Sequence, residues 1–218
     1  MPSPTPYAAR TTFERNCLAE LAALLKNTPW RRKQTAVFRK DGEYFFVGRL
    51  NVHRNATRTI ALFEAKPLVV DELLWDILGM RENSNEPLSF RAWGAFTCTA
   101  VPLRESEIEI NNSSAETVAR MFVSFLDESY EYAKDLLMHR DFLELLVEHP
   151  NHSERGSYAI TQVATLISKE KYDEACTIAT AHDKGNRTST FQLHSNGASF
   201  HHLAVSWLAA RLSSTEPT

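Results

Sequence analysis

SSAETVARMFVSFLDESYEYAKDLLMHRDFLELLVEH, residues 113–149, is the longest helical pattern in the sequence and decides how the rest of the chain is interpreted. Ser113 and Glu116 have the spacing of a capping box, which predicts that the helix begins there. Apolar residues at helical spacing then predict a buried face: Val118, Met121, Phe122, Phe125, Leu126, Ala133, Leu136 and Leu137. A second capping pattern at Asp141 and Glu144 predicts that the helix breaks just before it and restarts.

The opposite face of the predicted helix is acidic. Asp127, Glu131 and Asp135 lie four residues apart, and Glu128 lies beside them. Like charges at this spacing repel one another by roughly 0.2–0.5 kcal/mol per pair, so the arrangement costs the helix some stability. Two interpretations stay open: a solvated helix face partly relieved by Lys134, or a surface that binds a basic protein partner.

The first half of the chain predicts a sheet. After a first helix that begins at Thr11 or Thr12, the hydrophobic period becomes that of strands. Asp41-Gly42 predicts a type I′ hairpin, and a further strand at residues 57–64 makes an antiparallel meander the simplest topology. The remaining predictions are a helix at 70–78 ended by Gly79, strands at 88–101 and 189–194, and helices at 158–168, 173–182 and 200–208.

These elements predict an α+β fold, with an antiparallel sheet in the N-terminal half packed by helices and a mostly helical C-terminal half. The domain boundaries that follow are a flexible tail at residues 1–10, a sheet region at 11–112 and a helical region at 113–218. No Gly/Ser-rich linker separates the two regions. One continuous domain therefore remains the alternative.

Charge is distributed unevenly along the 218 residues, although the formal net charge is only -3. Basic residues dominate residues 30–66, and acidic residues dominate 105–148. Arg31, Arg32, Lys33 and Arg49 on the predicted sheet could bind phosphate or single-stranded nucleic acid. Arginines are also common on the exposed face of an amphipathic sheet, and no RNA-binding motif accompanies these. The net charge argues against nucleic acid as the general partner.

Three cysteines without C-x-x-C spacing, Cys17, Cys98 and Cys176, suggest neither a disulfide framework nor a zinc ribbon. The sequence has no apolar signal segment and no run long enough to span a membrane, so we expect a cytoplasmic protein. His149 and His152 have a spacing that metal ligands sometimes use, but Pro150 and the lack of a third ligand favour a loop. We predict no metal and no cofactor.

A histidine-containing cleft is the catalytic alternative. His201 and His202 begin the last predicted helix, where either could act as a general base on a small substrate or lie at the surface. Asp71, Glu72 and Asp76 are interpreted as charges of a helix terminus rather than as a catalytic carboxylate pair. Known catalytic and nucleotide-binding motifs are missing from the sequence. An enzyme is therefore the less supported alternative.

One segment resembles a known class of proteins. Lys66-Pro67-Leu68, residues 71–77 (DELLWDI) and residues 88–96 (LSFRAWGAF) resemble uncharacterised bacterial cytosolic proteins, some of which accompany secreted toxins as immunity factors. Such proteins usually neutralise a toxin by occlusion, which requires a complementary surface and no chemistry. The resemblance therefore implies a non-catalytic protein-binding protein but assigns no site. The charge pattern separately makes Asp127, Glu128, Glu131 and Asp135 the expected partner-binding residues.

Overall fold

The structure, a computed structural model, describes residues 6–53, 57–93, 96–110, 113–150, 156–184 and 197–214. The chain forms two compact units, each made of two separate stretches. The sheet unit comprises Met1–Ala65 and Pro102–His139, and the helical unit comprises Lys66–Val101 and Arg140–Thr218. This division does not follow the boundary after residue 112 that the sequence suggests, because the long helix belongs to the sheet unit.

Five strands form an antiparallel sheet in the order of the chain, which confirms the predicted α+β fold and meander. The strands are β1 (Arg31–Lys33), β2 (Ala36–Asp41), β3 (Tyr44–Val52), β4 (Arg58–Pro67) and β5 (Val101–Glu109). β1 and β5 are the edges, so Pro102 in β5 and the basic residues of β1 occupy positions that proteins use to prevent further strand pairing.

The helices are α1 (Pro6–Leu24), α2 (Leu68–Ile77), α3 (Phe90–Trp93), α4 (Ala115–His139), α5 (Phe142–Glu148), α6 (Gly156–Ser168), α7 (Tyr172–Lys184) and α8 (Phe200–Ser214), with a 3-10 helix at Arg81–Asn85. The prediction of a strand at 88–101 is wrong, because α3 and irregular backbone occupy most of it. The predicted strand at 189–194 lies outside the described residues. The helix α1 begins at Pro6, inside the segment predicted as a tail.

A two-residue turn joins β2 to β3, as predicted. Asp41 pairs with Tyr44, and Gly42 adopts a left-handed conformation with φ 54°. Glu43 has no positive φ, whereas a type I′ turn needs one at both central residues. The turn therefore follows the type II′ pattern, in which only the first central position needs glycine.

The core of the sheet unit lies where α1 and α4 pack together and α4 packs on β3. Phe122 and Leu126 of α4 are fully buried, and a Cβ atom on Gly48 would lie 2.1 Å from Leu126 Cδ2. Glycine at this position therefore allows the helix to approach the sheet closely. Met121 departs from the predicted buried stripe, since 46% of its surface is exposed.

The ends of α4 and α5 show how side chains set the break in the long helical pattern. Ser114, one residue after the predicted cap, accepts a hydrogen bond from Thr117 N–H at 3.1 Å, while Glu116 pairs with Arg120. The predicted break and restart are confirmed, because α4 ends at His139 and α5 begins at Phe142, where Asp141 accepts a hydrogen bond from Leu143 N–H at 2.8 Å and caps α5.

The helical unit has its own core, built from α2, α6, α7 and α8. Its fully buried residues include Val70, Leu74, Val163, Ala164, Ala175, Ala179, Phe200, Ala204 and Leu208. Among them, Phe200, Ala204 and Leu208 follow one another at helical spacing in α8, which confirms the predicted apolar stripe of the last helix. At the end of α2, Gly79 adopts the predicted left-handed conformation with φ 69°.

Candidate functional site

The acidic residues predicted on α4 all lie on its solvent-exposed side. Asp127, Glu128, Glu131 and Asp135 are exposed, whereas Phe125 and Leu126 beside them face the core. In an α-helix these four positions fall within roughly 100° of one another around the axis, because each residue advances by about 100°. Carboxylates therefore emerge together along about 12 Å of the helix. We refer to these four residues as the acidic face.

Neighbouring side chains partly relieve the repulsion among the carboxylates of the acidic face. Glu131 lies 3.8 Å from Lys134 Nζ, and Asp135 lies 3.7 Å from His139 Nδ1. Ser124 Oγ donates a hydrogen bond to Glu128 at 3.0 Å. Exposed pairs of this kind contribute at most about 1 kcal/mol and leave the carboxylates accessible to other cations.

Asp127 differs from the other three carboxylates because it also forms a hydrogen bond with a residue of the core. Its Oδ1 accepts a hydrogen bond from the buried indole Nε1 of Trp30 at 2.8 Å. A buried indole N–H left without a partner would cost about 1–3 kcal/mol. Asp127 is therefore a structural residue as well as a member of the acidic face.

An aromatic cluster that contains a cation lies beside Trp30. The Arg39 guanidinium lies 3.6 Å from the ring centre of Tyr130 and 5.4 Å from that of Trp30. Tyr130 donates its hydroxyl hydrogen to Asp41 Oδ2. Burial, reinforced by that hydrogen bond and opposed by Arg39, raises the pKa of Tyr130 to about 12, so the ring stays neutral and electron-rich at physiological pH. Arg39 Nε is buried without a hydrogen-bond partner.

A cleft of about 450 Å³ opens between the β2–β3 turn and the end of α4. Its lining has an apolar part formed by Tyr44, Phe46, Leu137 and Met138, and a polar part formed by Asp41, Gly42, Glu43 and Lys134. Lys134 and Met138 come from the helix that carries the acidic face. Composition and periodicity did not reveal this cleft, because its two sides are about 90 residues apart in the sequence.

The basic residues predicted to bind nucleic acid lie on two strands of the sheet and differ in their exposure. Arg31, Arg32 and Lys33 are exposed on the edge strand β1. Arg49 instead pairs with Glu64 at 2.9 Å, and only 28% of its side chain is exposed. Phe45 and Val47, which precede it, are buried, so this part of the sheet is covered rather than open to a nucleic acid.

His201, one of the two predicted general bases, is a core residue, with 4% of its surface exposed. Its ring stacks on His182 with centroids 4.8 Å apart, and its Nδ1 is buried without a hydrogen-bond partner. Burial, and then the neighbouring His182, lower the pKa of His201 to about 4, against the opposing effect of Asp183. His202 is exposed and lies 3.3 Å from Asp183 Oδ2. The structure therefore separates the two histidines rather than combining them in one site.

A buried ionic network in the helical unit was missed from the sequence. Lys66 Nζ donates hydrogen bonds to Asp71 Oδ1 at 2.9 Å, to the Cys98 carbonyl at 2.8 Å and to the Arg91 carbonyl at 3.1 Å. Asp71 also accepts from Cys98 N–H at 2.7 Å and Arg91 Nη1 at 3.2 Å. Asp71 thus lies in the first turn of α2, as predicted, but its side chain is buried within this network. The overlooked signal was a lysine inside an otherwise apolar run, AKPLVV at 65–70.

This network is closed to any ligand. The side chains of Lys66 and Asp71 are 2% and 0% exposed, and all three Lys66 N–H groups have acceptors. Arg91 covers the Trp75 ring at 4.8 Å and also pairs with Glu72. The cluster therefore fixes the backbone around Cys98 and uses every N–H group of the Lys66 ammonium.

Metal and thiol chemistry find little support in the part of the chain that the structure describes. No cluster of three or more histidine, cysteine or acidic residues suited to a metal occurs in that part. The ring of His149 lies against that of Tyr158, with centroids 5.1 Å apart and the planes tilted by 47°, and His152 lies outside the described residues. Burial, with Glu20 and Glu14, raises the pKa of Cys17 to about 11, which is typical of an inert core thiol.

Comparison of the chain with protein-family models, curated protein sequences and solved structures finds no match. Among the described helices, none has both the length and the apolar character required to cross a membrane. Any assignment of function therefore depends on the geometry of the acidic face and the cleft.

Proposed function

We propose that this protein is a non-catalytic, cytosolic binding protein that uses the acidic face of α4 to hold a basic protein partner. The observation that carries the proposal is the common exposure of four carboxylates on one side of a rigid helix. A helix anchored in a core presents charges at fixed positions, so a cationic partner is attracted and oriented without reorganisation of this surface.

The resemblance of residues 66–96 to immunity-type proteins suggests what binding would achieve. An immunity factor acts by covering the functional surface of a toxin, and basic surfaces are common on toxins that act on nucleic acids. Electrostatic attraction would give rapid association that weakens with salt. The free thiols Cys17, Cys98 and Cys176 are consistent with a reducing cytosol.

Charge reversal on α4 tests the proposal. A variant with Glu128→Lys, Glu131→Lys and Asp135→Lys removes three carboxylates whose recorded partners lie on α4 itself, while Asp127 is retained because it holds Trp30. The wild type should capture a basic protein from a lysate of its source, and capture should fall at high salt. The variant should lose this protein.

A matched control separates the local surface from the net charge. Glu82→Lys, Glu86→Lys and Asp173→Lys change the net charge by the same amount at exposed positions of the helical unit. This control should capture the basic protein as the wild type does. Equal capture by the wild type and the α4 variant would reject the proposal, and so would equal losses in both variants.

A further inference from the structure

The cleft of the sheet unit combines an apolar floor with an acidic rim. Phe46 and Leu137 form part of the floor, and Asp41 and Glu43 lie at the β2–β3 turn. A purely apolar ligand would leave these carboxylates unused, and a compact ion would leave the floor uncovered. The lining therefore suits a side chain with a long apolar stem and a cationic end.

The charges of the cleft favour a cation. Asp41 uses Oδ2 to accept the Tyr130 hydroxyl, and no ion pair is found for Glu43 among the described residues. Lys134 is the opposing charge, but its Nζ lies 3.8 Å from Glu131 and 5.3 Å from the Tyr130 ring centre. Two carboxylates and one lysine thus give the lining a negative balance.

The neighbouring aromatic cluster already accommodates a guanidinium. The Cζ atom of Arg39 lies 3.6 Å from the ring centre of Tyr130, and the Tyr130 hydroxyl donates a hydrogen bond to Asp41; neither Arg39 nor Tyr130 belongs to the cleft lining. Guanidinium groups stack on aromatic rings and pair with carboxylates more effectively than ammonium groups do. The cleft lining itself offers the Tyr44 ring beside the carboxylates of Asp41 and Glu43, so arginine matches it better than lysine.

The cleft is continuous with the acidic face. Met138 lines the cleft and is 72% exposed, and it follows Asp135 by three residues, on the same side of α4. A partner segment that contacts the acidic face would extend over the cleft opening without changing direction.

We propose that the cleft receives an arginine side chain of the basic partner, with the stem against Phe46 and Leu137 and the guanidinium between Asp41 and Glu43. This assignment rests on the proposed function, because it identifies the anchor of the same interaction. It makes the cleft the specificity pocket and the acidic face the attracting surface.

The methyl groups of methionine provide a direct test in the full-length protein. The chain has four methionines, and Met138 lines the cleft, whereas Met121 on the same helix lies about 25 Å away along its axis. Carbon-13 methyl labelling, with Met138→Leu to assign the signal, would follow the binding of acetyl-Gly-Ser-Arg-Ser-Gly-amide. The same peptide with citrulline or norleucine in place of arginine provides neutral probes.

The arginine peptide should shift the Met138 signal saturably and leave Met121 unchanged. The citrulline peptide should bind about tenfold more weakly, since it keeps the shape and loses the charge. Glu43→Gln should weaken arginine binding several-fold, and Glu105→Gln, a matched exposed position on β5, should not.

Equal shifts from arginine and citrulline, stronger binding of norleucine, or an unchanged Met138 signal would each overturn the assignment. Failure here is distinguishable from failure of the proposed function. Suppose that charge reversal on α4 abolishes partner capture while the arginine peptide leaves the Met138 signal unchanged. The acidic face then binds the partner, and the cleft does not receive arginine.

Discussion

The sheet unit and the helical unit each enclose a cation, but they neutralise it by different means. In the helical unit, Lys66 donates three hydrogen bonds, and Asp71 supplies the opposite charge. In the sheet unit, Arg39 lies on the faces of Tyr130 and Trp30, and its buried Nε has no hydrogen-bond partner. In the first arrangement all three N–H groups of the ammonium are bonded, whereas in the second one buried N–H has no acceptor.

The difference shows which unit is suited to recognition. A saturated buried network holds one conformation, and removing one member leaves a charge without compensation. The carboxylates of α4 and of the β2–β3 turn, by contrast, are exposed and not enclosed in such a network. We therefore assign a structural role to the network of Lys66, Asp71 and Arg91, and a recognition role to the surface formed by α4 and the β2–β3 turn.

The largest expected effect is that of breaking the saturated network. Asp71→Asn keeps the shape but leaves Lys66 and Arg91 without their shared counter-charge, so the free energy of unfolding should fall by about 3–5 kcal/mol. Glu72→Gln makes the same chemical change one residue later at an exposed position, and should cost less than about 1 kcal/mol. Urea denaturation followed by circular dichroism measures both, and similar losses would remove the distinction between the two units.

An effect of intermediate size is expected for the dependence of the unfolding free energy on pH. His201 has a pKa of about 4 in the folded protein and an ordinary value of 6.5. The unfolded chain therefore binds the extra proton between these values, so stability is complete above pH 6.5 and falls as the pH decreases towards 4. The loss attributable to His201 should reach about 3 kcal/mol.

His201→Phe isolates this contribution because phenylalanine fills the site and does not titrate. The difference in unfolding free energy between wild type and variant should change between pH 6.5 and 4 and stay constant above pH 6.5. His202→Gln, at the exposed neighbouring histidine, should leave the pH profile of the wild type unchanged within about 0.5 kcal/mol. A pH-independent difference for His201→Phe would show that His201 is not held neutral by the fold.

The smallest effect is expected for the cation on the aromatic cluster. Arg39→Met should change the unfolding free energy by only about 1 kcal/mol, since the lost cation–π attraction is offset by removal of a buried N–H without a partner. Urea denaturation of Arg39→Met and, separately, of Asp71→Asn gives the loss of unfolding free energy for each of the two ways of enclosing a cation. A loss as large as that of Asp71→Asn would mean that Arg39 is as tightly compensated as Lys66.

Local patterns in the sequence predicted the elements that depend on local physics. The Asp41-Gly42 hairpin, the Asp141 cap and the left-handed Gly79 each follow from the conformational needs of one or two residues. The strand predicted at 88–101 failed because aromatic and β-branched composition was taken as strand propensity. The structure of this segment depends instead on its contacts with α2, where Phe96 accepts a hydrogen bond from Trp75 and Arg91 packs on the Trp75 ring.

The sites were harder to predict than the elements because they join distant residues. The positions of the acidic face were predicted correctly as solvent-exposed, since helical periodicity alone separates the two sides of α4. Pairing of Lys66 with Asp71 and Arg91, stacking of His201 on His182, and the cleft all depend on tertiary contacts that periodicity does not encode. Each of these features brings together residues that are far apart in the sequence, and two of them bury a polar side chain.

The most direct test of the account is zero-length carbodiimide cross-linking of the wild-type protein to the basic protein that it captures, with the linked peptides identified by mass spectrometry. This chemistry forms an amide bond between a carboxylate and an amine that are in direct contact, with no spacer between them. We expect lysines of the partner to become linked to Glu128, Glu131 and Asp135 of the sheet unit. Links concentrated on exposed carboxylates of the helical unit, such as Glu82, Glu86 and Asp173, would contradict it.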